Sequence, residues 1–192
     1  PEQEKSFFKN LKSDHGQNQE AFNATIISDR MLHARYKTVE SNTDSVIKTL
    51  QSRNLKVIAL TNWGPDSYGS IPFLKEFRRL QLSKIGIEFE SSFPGLAISF
   101  SHIPARIFPS NVLSDKEHPE FYKGILFAAG NPKGVILNAF LDHLNFMPSK
   151  VIFFDDNEKY LISVQEELAK RQIPFQGFLY TGAEKQESSV DL

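Results

Sequence analysis

Short apolar runs alternate along the chain with longer segments in which apolar residues recur at helical spacing. The runs 57–60 and 151–154 each consist of four consecutive apolar residues followed by polar, turn-forming residues. Runs of this kind are typical of strands buried on both faces, as in parallel sheets. We therefore predict strands at 57–60, 124–127 and 151–154, and a last strand at 178–181.

The segments between these runs predict helices, because their apolar residues fall three or four positions apart. The predicted helices lie between Thr43 and Asn54, between Ser70 and Leu80, from Gly134 to Pro148 and from Glu158 to Pro174. In the second of these, Ser70 is the expected N-cap and Pro72 lies in the first turn. Its spacing predicts that Phe73, Leu74, Phe77 and Leu80 face the core.

Alternating helices and short strands favour an α/β fold with a mainly parallel, Rossmann-like sheet flanked by helices. The whole chain, 1–192, is expected to form a single domain. Residues 1–42 form an N-terminal helical segment, and 65–130 form an insertion within the core that contains irregular strands and loops. Residues 185–192 are a polar tail, which we expect to be frayed.

Composition narrows the possible functions. The chain has 192 residues, 40% of them hydrophobic, and its net charge is -1 without a basic stripe, so nothing indicates nucleic-acid binding. The absence of cysteine excludes disulfides, thiolate catalysis and zinc-thiolate sites, and leaves the cellular compartment open. No run approaches the roughly 20 apolar residues of a membrane span. The five histidines show no metal-binding spacing.

Polar residues that could carry chemistry follow the predicted strands. Asp155 and Asp156 come directly after the run 151–154, where desolvation and mutual repulsion oppose two charged carboxylates unless a cation is bound. Because the carboxyl ends of strands line the ligand crevice of α/β sheets, this pair lies where a metal and a phosphate would bind. Thr61 follows the first run, and Lys133 stands at a helix entrance.

Each of these residues also has an ordinary structural interpretation. The two aspartates could cap the following helix, since aspartate is favoured at the N-cap and near the positive end of the helix dipole. Thr61 could be a turn hydroxyl and Lys133 a solvated surface residue. Asn62 and Trp63 could line a substrate pocket, or the tryptophan could fold back onto the core.

The order of a hydroxyl, then a lysine, then an acidic pair resembles the haloacid dehalogenase superfamily of phosphohydrolases, from about Thr43 to Thr181. Response-regulator receivers use similar groups, but there the acidic pair comes first. The segment ending in Thr61-Asn62 resembles the second motif of the superfamily, Lys133 resembles the third and Asp155-Asp156 the fourth. The sequence at residues 133–137 and 180–184 further resembles that of an uncharacterised bacterial branch of that superfamily.

This resemblance implies a Mg²⁺-dependent phosphatase with a phosphorylated small molecule as substrate. Thr61 and Asn62 would then bind phosphate, Lys133 would hold the phosphoryl group and temper repulsion among carboxylates, and Asp155 with Asp156 would help to hold Mg²⁺. Such chemistry depends mainly on positioning and on neutralising charge on the transferring oxygens.

The chain departs from the superfamily in one respect. The first motif, an Asp-x-Asp whose first aspartate attacks phosphorus, is absent, because no two aspartates of the chain stand two positions apart. Its strand would lie between those bearing Thr61 and the acidic pair. We therefore expect that strand to come from an upstream segment or another chain, and we expect this fragment to bind Mg²⁺ weakly or not at all and to be inactive.

A second hypothesis belongs to another functional class. A non-catalytic relative could keep the same fold as a binding or interaction module for a protein or a phosphorylated ligand, because fold alone does not determine function. An Asp-x-Asp motif after an apolar strand upstream of Pro1 would favour the enzyme, and its absence would favour the binding module.

Overall fold

The computed structural model describes residues 16–106 and 117–182. The described helices are α1 (Gly16–His33), α2 (Thr43–Ser52), α3 (Leu74–Lys84), α4 (Lys133–His143) and α5 (Glu158–Lys170), with a short 3-10 helix at Glu90–Ser92. The described strands are β1 (Ala59–Thr61), β2 (Ala97–Ser99), β3 (Glu120–Tyr122), β4 (Ile125–Phe127), β5 (Val151–Asp155) and β6 (Phe175–Leu179). The tail 185–192 and the first 15 residues of the N-terminal helical segment lie outside the described residues.

The strands form two sheets. Four of them pair in the order β1-β4-β3-β2, while β5 and β6 pair with each other. The β1–β4 and β5–β6 pairs are parallel, and β2–β3 and β3–β4 are antiparallel. The predicted α/β class is confirmed, but a mainly parallel sheet is not, since only half of these pairings are parallel.

A tight turn accounts for the antiparallel part of the sheet. β3 and β4 are joined by Lys123 and Gly124, which both have positive φ, 46° and 84°. Two consecutive residues with positive φ match the twist of a two-residue hairpin and reverse the chain. This hairpin, together with β2, lies in the segment 65–130 for which irregular strands were predicted.

One large core joins both sheets to α4 and α5. Phe121 of β3 is fully buried, and its ring centroid lies 4.5 Å from that of Phe140 on α4. Leu126 of β4 and Val164 and Leu168 of α5 belong to the same buried cluster. Helices α4 and α5 therefore hold β5–β6 against the larger sheet.

A smaller apolar cluster fixes α1. Ala24 of this helix packs with Tyr68, Ile71 and Leu74, at the start of α3. The Ser28 hydroxyl oxygen accepts a hydrogen bond from the Ser70 backbone N–H at 2.8 Å. The N-terminal helix thus covers the segment that follows β1.

The predicted helix from Ser70 starts later than expected, at Leu74. The N–H groups of Leu74 and Lys75 donate to the carbonyls of Asp66 and Pro65, so the preceding loop satisfies the helix end without Ser70. Leu74 faces the core as predicted, but Phe73 and Leu80 are exposed, so that part of the prediction was wrong.

Two strand boundaries also differ from the prediction. The first strand begins at Ala59, because the backbone N–H and carbonyl of Val57 bond to the Ser92 hydroxyl instead of a neighbouring strand. The last strand runs from Phe175 to Leu179, where parallel pairing with β5 outweighs the interruption of its apolar pattern by Gln176 and Gly177. None of the described helices combines the length and apolarity needed to cross a membrane.

Candidate functional site

Lys133 and Asp155 form a buried ion pair. The Lys133 Nζ lies 2.6 Å from Asp155 Oδ2, and each residue is 7% exposed. Lys133 is the first residue of α4, and Asp155 is the last residue of β5. The sequence pattern predicted that these two residues lie at the same edge of the fold, and they are in direct contact.

A glycine allows this contact. Gly134 packs so closely on α5 that a Cβ atom there would lie 2.0 Å from the Ser163 carbonyl oxygen. Its N–H also donates to the Ser163 hydroxyl at 3.1 Å. Because α5 follows directly after β5, this close approach brings the start of α4, and with it Lys133, to the end of β5.

The second oxygen of Asp155 is bound by the backbone. Asp155 Oδ1 accepts a hydrogen bond from the Asn157 N–H at 3.0 Å. Asn157 is the N-cap of α5, and its side chain accepts from the Lys159 N–H. The cap of this helix is therefore an asparagine rather than either aspartate, and Asp156 is exposed to solvent.

Aromatic rings surround the Lys133 ammonium. Its Nζ lies 4.4 Å from the ring centroid of Tyr160 and 5.7 Å from that of Phe153. The negative face of an aromatic ring attracts a cation, most strongly where water is excluded. Sequence reasoning missed Tyr160, although its position as the third residue of α5 places it near the end of β5.

Thr61 lies at the same edge of the fold as Lys133. It is opposite Phe127 in the parallel β1–β4 pair, so the two strands end together. The carbonyls of Thr61, Asn62 and Trp63 then accept hydrogen bonds from the N–H groups of the loop that connects β4 to α4. The Thr61 hydroxyl oxygen accepts from the Trp63 N–H at 3.3 Å, which leaves its own hydrogen able to donate.

Asn131 stabilises the loop between β4 and α4, and its role was not anticipated from the sequence. It is 5% exposed, and its side-chain amide donates to the carbonyls of Pro104, Ala128 and Ala129. The buried amide fixes the loop from which Lys133 projects, and nothing in the sequence pattern distinguishes this asparagine from an ordinary turn residue.

The neighbours of Thr61 differ in their surroundings. Trp63 packs edge-on against Tyr68, with ring centroids 4.8 Å apart, and the Arg78 guanidinium lies 5.0 Å from its ring centroid. Trp63 therefore packs onto the apolar cluster that contains Ala24 of α1. This agrees with the alternative in which the tryptophan folds back onto the core. Asn62 Oδ1 is buried and has no hydrogen-bond partner among the described residues, and its phosphate-binding role stays a prediction.

The strands that carry the site belong to different sheets. β1 pairs only with β4 and β5 only with β6 in the described part of the chain, so each has one unpaired edge. The geometry brings Lys133 and Asp155 into contact and puts Thr61 at the end of β1, against the loop that leads to Lys133. The chemical roles of these residues stay predictions.

The Mg²⁺ site predicted at Asp155 and Asp156 would have few protein ligands. Within 16–106 and 117–182, no group of three or more carboxylate, histidine or cysteine side chains is placed to hold a metal. Asp155 already accepts from Lys133 and Asn157, and Asp156 is the adjacent exposed carboxylate. Mg²⁺ commonly binds through one or two carboxylates while keeping several waters, so weak binding of Mg²⁺ by this pair stays a prediction.

Comparisons with known proteins place the chain among bacterial relatives. It is 35% identical over 104 residues to a Chlamydia trachomatis protein named "Putative outer membrane protein", which covers 54% of this chain and 33% of that protein. A Chlamydia muridarum protein of the same name is 44% identical over 62 residues, 32% of this chain and 23% of that protein. An uncharacterised Rickettsia prowazekii protein is 27% identical over 130 residues, 67% of this chain and 41% of that protein.

The matched segments thus span less than half the length of each of these relatives. No solved structure matches the chain. A family model described as "Protein of unknown function (DUF2608)" matches residues 3–191, nearly the whole sequence. The chain therefore belongs to the DUF2608 family.

Proposed function

We propose that this chain is the larger part of a haloacid-dehalogenase-like, Mg²⁺-dependent phosphohydrolase domain. The observation that carries the proposal is the buried Lys133–Asp155 pair at the end of β5. Removing one partner of a buried pair is strongly destabilising, but the intact pair adds little net stability compared with apolar packing. A buried pair at the carboxyl end of a strand is therefore better explained by function than by folding.

Each site residue has a role consistent with its surroundings. Lys133 supplies a positive charge for phosphoryl oxygens, held in place by Asp155 and the Tyr160 ring. Thr61 can donate its hydroxyl hydrogen to a second oxygen, and Asn62 offers a further polar contact. Asp155 and Asp156 would hold Mg²⁺, which neutralises charge on the phosphate when it is bound.

The unpaired edges of β1 and β5 support the prediction of one mainly parallel sheet. β5 ends at Asp155, which contacts Lys133, and β1 ends against the loop that leads to Lys133. Each strand lacks a neighbour on one side among the described residues. A strand between them, parallel to both, would join the two sheets into one mainly parallel sheet. A nucleophilic aspartate at the end of such a strand would lie next to Lys133 and Thr61.

A phosphatase assay tests the proposal directly. The 192-residue chain and a version extended by its natural upstream sequence are assayed with a chromogenic phosphate ester and Mg²⁺. We expect turnover only from the extended protein. In that protein, Lys133→Met should reduce kcat by about 100-fold or more, as expected for loss of a preorganised charge in the site.

Lys150→Met is the matched control, because Lys150 is exposed and bonds only to Gln176 in the described structure. It should retain full activity. Turnover by the short chain that disappears in Asp156→Asn would contradict the predicted inactivity. If the upstream sequence contains no Asp-x-Asp motif and no version hydrolyses phosphate esters, the non-catalytic binding module becomes the better interpretation.

A further inference from the structure

A buried carboxyl group outside the candidate site contacts the loop that follows β1. Glu117 is 2% exposed and lies just before β3. Its Oε1 accepts a hydrogen bond from the Asp66 backbone N–H at 3.4 Å, which is long for such a bond. Its Oε2 has no hydrogen-bond partner in the described part of the chain. A buried carboxyl with so few partners requires an explanation.

The Glu117 side chain fits only because residue 64 is a glycine. A Cβ atom on Gly64 would lie 1.6 Å from Glu117 Oε1 and 2.3 Å from its Cδ. The carboxyl group therefore occupies the space that any other side chain at position 64 would need. Glycine is required here to make room for a partner, rather than for an unusual backbone conformation.

The loop 61–66 is held at both ends by other contacts. At its start, the carbonyls of Thr61, Asn62 and Trp63 accept from the loop after β4, and at its end Pro65 and Asp66 accept from the first turn of α3. Glu117 supplies the contact in the middle, at Gly64. The three atoms nearest to the space beside this glycine all belong to the Glu117 carboxyl group.

We propose that Glu117 is a positioning residue that fixes the loop 61–66, and with it Thr61 and Asn62, through its contacts with Gly64 and the Asp66 amide. The part that concerns phosphate binding rests on the proposed function. The inference also assigns a purpose to the segment 65–130, because Glu117 connects that insertion to the site.

The protonation of Glu117 gives this role a measurable signature. Burial is the main cause that raises the pKa of its carboxyl; the hydrogen bond from the Asp66 amide opposes the shift and the nearby Asp66 carboxylate adds to it, so that the pKa rises from 4.5 to about 7 in all. The group is therefore neutral in mildly acidic solution. Ionisation above neutral pH places a charge beside Gly64, and the loop must then move to let water reach it.

The only tryptophan of the chain reports on this loop. Trp63 is adjacent to Gly64, so its fluorescence is sensitive to movement there. We expect the emission of the 192-residue chain to change with a midpoint near pH 7, and Glu117→Gln to abolish that change. Asp66→Asn should shift the midpoint to lower pH. An unchanged transition in Glu117→Gln would overturn the proposal.

An imidazole also titrates in this range, so His118→Gln is the control for the neighbouring histidine. It should retain the transition. If the transition follows His118 instead of Glu117, the proposal is likewise refuted.

A double-mutant cycle tests the contact without any titration. Gly64→Ala should lower Tm by about 4 °C or more, because the new methyl group collides with the carboxyl. In a Glu117→Ala background the same substitution should have little effect. Equal losses in both backgrounds would show that Glu117 does not occupy the space beside Gly64.

Binding of inorganic phosphate connects the loop to the site. At pH 6, the affinity should be weakened several-fold in Glu117→Ala and be nearly normal in Glu117→Gln, which preserves shape and neutrality. Normal affinity in Glu117→Ala would contradict positioning of Thr61 and Asn62. If neither the 192-residue chain nor the version extended by its upstream sequence binds phosphate, the proposed function fails, while the fluorescence and the double-mutant cycle still decide whether Glu117 fixes the loop.

Discussion

The four-stranded sheet and the β5–β6 pair are built from similar apolar runs, but they bury different numbers of faces. All three residues of β4 are buried, whereas β5 alternates, with Val151 and Phe153 packed against the core and Ile152 and Phe154 exposed. The Phe154 ring stacks on Phe178 of β6, with centroids 4.9 Å apart, on the bare face. The same sequence pattern therefore gives a strand covered on both faces in one place and on one face in the other.

A buried carboxyl group lies near each sheet, and the two groups differ in their hydrogen-bond partners. Asp155, at the end of β5, accepts from an ammonium and a backbone N–H. Glu117, beside the loop after β1, has one long hydrogen bond and an oxygen without a described partner. The first carboxylate is paired with a cation, while burial raises the pKa of the second to about 7.

The largest predicted effect tests the difference in burial between the two sheets. Phe121→Ala should lower the free energy of unfolding by about 3–5 kcal/mol, because it empties a fully buried position against Phe140. Phe154→Ala, the matched control, should change it by less than about 1 kcal/mol, since this ring is 61% exposed. Urea unfolding measures both. A similar loss in the two variants would mean that the face of β5 is covered in solution.

The next effect concerns the paired carboxylate. Lys133→Met leaves Asp155 buried without its cation, and breaking such a pair should cost about 3 kcal/mol of unfolding free energy. Adding Asp155→Asn should recover part of that loss, because the remaining group is then neutral. Thermal or urea unfolding of the two single variants and the double variant gives the coupling free energy between Lys133 and Asp155. Additive losses would show that the two side chains do not interact in solution.

The sequence was sufficient to predict the residues that meet at β5, but not the sheet they belong to. Asp155 was located by its position after a strand, and Lys133 by its position at a helix start. Both signals depend only on residues nearby in the sequence. Strand pairing depends on contacts far apart in sequence, and the antiparallel hairpin at Lys123-Gly124 was not recognised as a turn. Local pattern therefore predicted elements better than it predicted their neighbours.

The role of Glu117 was also beyond reach of the sequence, for a different reason. An isolated glutamate before a histidine and a proline gives no signal of burial, and glutamate is rarely buried. Its position follows from the space above Gly64, 53 residues earlier in the chain. Gly64 itself was interpreted as part of a turn, which is the usual meaning of Gly-Pro.

A pH effect of intermediate size should follow from Glu117. Its pKa is about 7 in the folded protein and about 4.5 when unfolded, so the folded state holds an extra proton between these values. The contribution to stability is therefore fully present below pH 4.5 and is lost as the pH rises through 7. We expect Tm to fall by several degrees over this range, and the fall to be smaller in Glu117→Gln. Equal slopes in both proteins would contradict the assignment.

The smallest predicted effect separates the helix cap from the acidic pair beside it. Asn157→Ala should lower the free energy of unfolding by about 1 kcal/mol, because the Lys159 N–H loses its side-chain acceptor at the start of α5. Asn157→Asp keeps an acceptor at the same place and should be nearly neutral. Asp156→Ala should also have little effect, since this exposed carboxylate is not the cap. If Asp156→Ala instead destabilised the chain as much as Asn157→Ala, the capping role would belong to the acidic pair, and the argument that these aspartates are reserved for a cation would weaken.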